Sequence, residues 1–129
     1  MRRLATALGA AMLLAGCATA PKPLYMWETF PRQQYETLLA SGGSPDSQIQ
    51  AMEAHAVKAR GTGAALPPGF RAHLGMLYLS TGNAAQARQL WLAEKEAFPE
   101  SSPYLDQLLK RMDGKDRTDK TTAKNENPA

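Results

Sequence analysis

The stretch Phe70-Arg-Ala-His-Leu-Gly-Met-Leu-Tyr-Leu-Ser-Thr-Gly-Asn-Ala-Ala-Gln-Ala-Arg-Gln-Leu-Trp-Leu-Ala-Glu-Lys-Glu-Ala-Phe-Pro99 decides the fold. Its large apolar residues fall at helical offsets twice over. Phe70, Leu74, Leu77 and Tyr78 share one helix stripe, and Ala87, Leu90, Trp91 and Phe98 share another. Between them, Gly82 is placed to end the first helix in a left-handed conformation. Asn83, with Gln86 three residues on, is placed to cap the second, which stops before Pro99.

The rest of the chain reads in the same way. Leu66-Pro-Pro-Gly69 is a rigid lead-in. Upstream, Ser44-Pro45-Asp46 has the order of an N-cap, a proline at the first helical position and an acid in the first turn. The helix it opens carries Ile49, Met52, Ala56 and Ala59 on one stripe and ends at Gly61 and Gly63. Residues 31–40 put Tyr35, Leu38 and Leu39 at helical spacing, with Gly42 and Gly43 as the stop. Ser102-Pro103 starts a last helix with Tyr104, Leu105, Leu108, Leu109 and Met112. From Asp113 to Ala129 there is no large apolar side chain, which predicts a disordered tail. No segment alternates with period two. The expected fold is therefore all-α: a small bundle of about five helices across residues 24–112.

The register of the central stretch resembles one tetratricopeptide repeat, a 34-residue helix-turn-helix unit. With Pro68 as its first position, Gly75, Tyr78, Gly82, Ala87, Trp91 and Pro99 occupy the six places where that repeat has small, aromatic, glycine, alanine, aromatic and proline residues. Small Gly75 and Ala87 let two helices approach, and Tyr78 and Trp91 fill the space beside them. Arg71 and Glu94 depart from the pattern, standing where the repeat usually has tryptophan and alanine. Stacked repeats need at least three units, so the resemblance implies a bundle with a tetratricopeptide-like hairpin rather than a solenoid.

The amino terminus sets an expectation of location. Met1-Arg-Arg3 precedes a small and apolar run, Leu4 to Gly16, in the layout of a secretory signal peptide. That run is 13 residues long, and a spanning helix needs about 20. Leu14-Ala15-Gly16-Cys17 resembles the lipobox of bacterial lipoproteins. The resemblance implies cleavage after residue 16, covalent lipid on Cys17, and membrane attachment through that lipid. Residues 17–23 would form a tether. Ala18, rather than aspartate, follows the cysteine. By the enterobacterial sorting rule, this implies the periplasmic face of the outer membrane, ahead of the inner membrane. Loss of Arg2 and Arg3 lowers the formal charge from +3 to +1, which gives no electrostatic case for nucleic-acid binding. Cys17 is the one cysteine, so no disulfide is expected.

A search for catalytic chemistry yields little. His55 and His73 lie on different helices without a second ligand at helical spacing, so no metal is expected. Glu94, Glu96 and Glu100 read as a solvated face. Gly61-Thr-Gly63 follows no strand and precedes no Gly-Lys-Ser/Thr, so it is a helix stop rather than a phosphate loop. No serine, histidine and acid are linked as a triad. No catalytic residue and no cofactor beyond the covalent lipid are expected. The cluster Leu24-Tyr-Met-Trp-Glu-Thr-Phe30 offers Tyr25, Trp27 and Phe30 either as a lid on the helices or as partner-binding residues, since tyrosine and tryptophan are enriched at interface hot spots.

Four separated blocks, Pro23–Trp27, Pro67–Gly69, Ala72–Tyr78 and Glu94–Ser101, resemble an uncharacterised family of small proteobacterial lipoproteins. The resemblance implies no activity. Members are often encoded beside a lipoprotein similar to curli-type secretion-channel subunits, which implies envelope protein partners. The sequence thus suggests a non-enzymatic helical adaptor in an envelope assembly or secretion complex. The alternative is a pilotin-like chaperone for an outer-membrane subunit, which would need an open apolar groove.

Overall fold

The computed structural model describes residues 23–125, with side chains to residue 114. The expected signal peptide 1–16, the expected lipidation residue Cys17 and most of the expected tether lie outside the described residues. Five α-helices follow one another: α1 (Phe30–Leu38), α2 (Pro45–Thr62), α3 (Phe70–Ser80), α4 (Ala84–Ala97) and α5 (Ser102–Asn125), with a 3-10 turn, Pro99–Ser101, before α5. Among the described residues there is no strand, only an isolated parallel bridge between Tyr25 and Ala65. The protein is a small all-α bundle.

Local signals set most boundaries. The Ser44 hydroxyl accepts from Ser47 N at 3.2 Å and the Asn83 side chain from Gln86 N at 3.1 Å, capping α2 and α4. At the end of α3, Gly82 has φ +86°, and a residue with a Cβ would be strained there. The chain reverses with Gly82 N donating to Leu79 O at 3.0 Å and Asn83 N to Tyr78 O at 2.9 Å, the paired pattern of a Schellman motif. Helix α1 ends the same way, but on Ala40 (φ +52°) rather than at the glycines that follow.

Helix α3 lies at the centre. One side joins Phe70, Leu74 and Leu77 to Phe30, Ile49 and Met52. The other side faces Trp91, Leu105 and Leu109, with Ala72 and Leu79 packed against them. Gly75 lets α4 come close. A Cβ built there would lie 2.4 Å from Trp91 Nε1 and 3.2 Å from the Ala87 carbonyl oxygen. Trp91 is fully buried, and its Nε1 donates to Ala72 O at 3.1 Å. Gly75, Ala87 and Trp91 meet at the α3–α4 contact, Tyr78 packs against the first core, Gly82 lies in the turn and Pro99 opens the 3-10 turn.

Two expectations of the sequence are corrected. Tyr35, Leu38 and Leu39 are 61%, 85% and 57% exposed rather than packed inward. Helix α1 docks instead through Phe30 at its head and Thr37 one face over, whose hydroxyl lies 3.2 Å from His73 Nε2 and also bonds Gln48. Only Phe30 on that helix is buried. The second correction is the tail. The backbone of α5 stays helical through Asn125, well past Met112. Burial is not required for this, because helix propagation satisfies the backbone internally once a nucleus exists. Leu105, Leu109 and Met112 supply that nucleus, and Asp113 is held by an ion pair with Arg88 of α4. Residues 126–129 lie outside the described residues.

Candidate functional site

A groove of about 760 Å³ opens between α2, α3, α4 and the 64–66 connection. Its position follows from chain geometry. Helix α2 ends in a left-handed glycine, Gly63, and the following residues cross to Pro67 in extended form. The α2 and α4 helices flank α3 and leave a concave face lined by Ala56, Val57, Leu66, Leu74, Leu90 and Phe98, with Tyr25 at one end. The charged lining residues are Glu53, Arg60 and Arg71.

These charges differ in state. The Tyr78 hydroxyl donates to Glu53 Oε1. That bond, with some burial and the carboxylate charge, pushes the phenol up to about 12. Glu53 is therefore already engaged by its neighbour. Arg60 and Arg71 have no ion-pair partner among the described residues. The groove consequently presents two guanidinium groups, unpaired among the described residues, beside apolar side chains. Such a surface suits a peptide with apolar and acidic side chains, because an arginine fork pairs a carboxylate bidentately.

Glu94 is the residue the sequence misplaced most. It is 1% exposed rather than part of a solvated face. Its carboxylate accepts from Gly69 N at 2.5 Å and from Arg71 N at 3.2 Å. These are orphan donors at the start of α3, and the helix macrodipole favours a negative charge there. The substitution of glutamate for the small residue of the repeat pattern thus serves as a cap supplied by the neighbouring helix. It fixes the backbone that carries Arg71. The only sequence signal for it was the departure from the register.

The aromatic segment divides into separate roles. Phe30 is 1% exposed and packs on Phe70 with centroids 5.0 Å apart, so a partner could touch it only by opening the core. Tyr25 is half-buried between Phe98 and Trp27. Trp27 is 46% exposed and stacks on Phe30 at 6.4 Å. The strand-like backbone beneath is pinned. Met26 N donates to Ala65 O, and the His55 Nε2–H donates to Met26 O, each at 2.9 Å. His55 therefore serves as a buried clamp, its ring edge-on to Phe70 at 4.9 Å, while its Nδ1 has no partner among the described residues. His73, half-buried beside Phe30 and Thr37, is held below the ordinary histidine range by burial. Among the described residues, no group of three or more histidine, cysteine, aspartate or glutamate side chains could hold a metal ion.

The segment from Leu24 into α5 coincides with a known family. The chain belongs to the family described as Domain of unknown function (DUF4810), which matches residues 24–108. The match spans α1 to α4 and the first turns of α5, and so contains the whole groove, the first core, the aromatic segment and the second core as far as Leu108. No curated protein and no solved structure matches the chain.

Proposed function

We propose that this DUF4810 protein is a non-enzymatic lipoprotein of the outer membrane, anchored through Cys17, that acts as a helical adaptor in an envelope assembly or secretion complex. A curli-type secretion-channel-like lipoprotein is a candidate partner by the sequence resemblance. The observation that carries the reading is the groove between α2, α3 and α4, with apolar walls and with Arg60 and Arg71, which have no ion-pair partner among the described residues. The α3–α4 hairpin supports it further, because its packing around Gly75 and Trp91 has the arrangement expected of a tetratricopeptide-like unit, and helical repeats use concave faces to bind proteins.

The openness of that groove also favours a second reading, a pilotin-like chaperone that holds a segment of an outer-membrane subunit in transit. The two differ in lifetime and outcome. An adaptor stays in the finished complex, whereas a chaperone leaves it and its loss mislocalises the cargo.

The test is recovery of partners from detergent-solubilised envelopes with the lipidated protein as bait. Arg60→Glu and Arg71→Glu should each reduce recovery of a groove-bound partner at least about tenfold, equivalent to ~1.4 kcal/mol, with helical content unchanged. Recovery of the same partners in the same amounts by both variants would refute the groove as the binding surface.

A further inference from the structure

Exposed large apolar side chains are unevenly placed along this chain. Of the nine among the described side chains, five fall between residues 24 and 39: Leu24, Trp27, Tyr35, Leu38 and Leu39. Three of them form one face of α1 and its C-cap, Leu39. At 100° per residue, Tyr35, Leu38 and Leu39 lie within a single stripe, and the stripe points outward, since α1 docks through Phe30 and Thr37. Arg32 borders the stripe beside Leu39, its side chain 80% exposed and ion-paired with Glu36 at 2.7 Å. An outward apolar face bordered by charged side chains is the pattern of a helix that lies in a membrane interface. Tryptophan favours the same depth.

The chain outside the structure supplies the argument for what covers this face. Six residues, 18–23, separate Cys17 from Leu24. Even fully extended, they span about 20 Å. If Cys17 carries lipid, the end of the domain bearing Leu24 and Trp27 cannot leave the bilayer by more than that distance. The exposed apolar residues are concentrated in the segment that the anchor holds there.

We propose that α1 is an interfacial helix: its Tyr35–Leu38–Leu39 face rests on the lipid bilayer, with Trp27 at its head. The inference rests on lipidation of Cys17 but not on the groove. It gives the adaptor a fixed orientation. The groove is lined from α2, α3 and α4, the 64–66 connection, Phe98 and, at one end, Tyr25, with no residue of α1, so docking α1 leaves its helical walls free for a partner.

The test uses full-length lipidated protein in phosphatidylethanolamine–phosphatidylglycerol vesicles. The native thiol is blocked by lipid, so Leu38→Cys and, as a control on α4, Leu92→Cys can each carry an environment-sensitive fluorophore. The Leu38→Cys probe should shift to the blue and lose emission as brominated lipid replaces ordinary lipid. The Leu92→Cys probe should do neither. The two tryptophans of the chain give a label-free check: quenching by brominated lipid should vanish in Trp27→Phe, because Trp91 is fully buried. Equal responses at the two labelled sites, or a Leu38→Cys probe insensitive to brominated lipid, would overturn the proposal. The latter includes a site covered by a second copy or another protein. Mass measurement separates the causes. An acylated Cys17 with an insensitive probe removes interfacial docking alone, whereas an unmodified Cys17 removes the anchor and the docking together.

Discussion

Replacing Gly75 by alanine adds one methyl group, and the structure fixes where it must go. The new Cβ would stand 2.4 Å from Trp91 Nε1 and 2.6 Å from Trp91 Cδ1. Relief requires the indole or α4 to move by about 1 Å to reach ordinary contact. Trp91 has no free space, being fully buried, and its Nε1 is committed to Ala72 O. Overpacking of a tight core costs roughly 1–3 kcal/mol, and weakening the indole hydrogen bond adds about 1 kcal/mol. Alanine in a helix interior returns about 1 kcal/mol relative to glycine. The net expectation is destabilisation by about 1–3 kcal/mol, a fall in Tm of at least about 4 °C for a domain of this size. Gly61→Ala is the matched control. Gly61 lies in the last turns of α2, and a Cβ there meets nothing within 4 Å. The same substitution should stabilise by up to about 1 kcal/mol through helix propensity alone. Urea unfolding followed by circular dichroism measures both. A Gly75→Ala midpoint equal to or above wild type, at unchanged slope, would refute the close approach of α3 and α4.

Two further predictions concern the residues around the groove. Glu94→Ala should cost roughly 2–4 kcal/mol in urea unfolding, because it strips two charge-assisted hydrogen bonds from partly buried donors, while Glu94→Gln should cost distinctly less; equal losses would deny the carboxylate its capping role. Tyr78 should ionise near pH 12 in an ultraviolet titration, identified by comparison with Tyr78→Phe, and Glu53→Gln should lower that value. Because the folded phenol is raised above its ordinary 10, the linked stability is present below pH 10 and is lost as pH rises towards 12. A titration step unmoved by Glu53→Gln would show that the bond does not persist in solution.

Much of the fold was legible in the sequence because its signals act over three or four residues. Ser44, Asn83 and Gly82 each satisfy or reverse the backbone beside them, so their roles follow from type and position. The small residues Gly75 and Ala87 were legible as a pair through the resemblance to a helical-repeat register, which implies one contact between adjacent helices. The all-α class followed from periodicity alone.

What the sequence could not decide were the choices made by distant partners. Helix α1 has an apolar stripe, yet Phe70 and His73, 40 or more residues from Phe30 in the chain, draw in a different face. Glu94 has the look of a surface acid among charged neighbours. Its burial depends on Gly69 and Arg71, 25 and 23 residues away, whose amides need an acceptor. The length of α5 was misjudged because lack of apolar residues speaks to burial, and a helix already nucleated on Leu105 and Leu109 continues without it. The groove is the clearest case. Its floor and its two arginines, unpaired among the described residues, come from three helices and a connection, and the sequence holds no local mark of it. A concave surface exists only once those helices have packed, because which charges stay unpaired depends on every neighbour that could have paired with them.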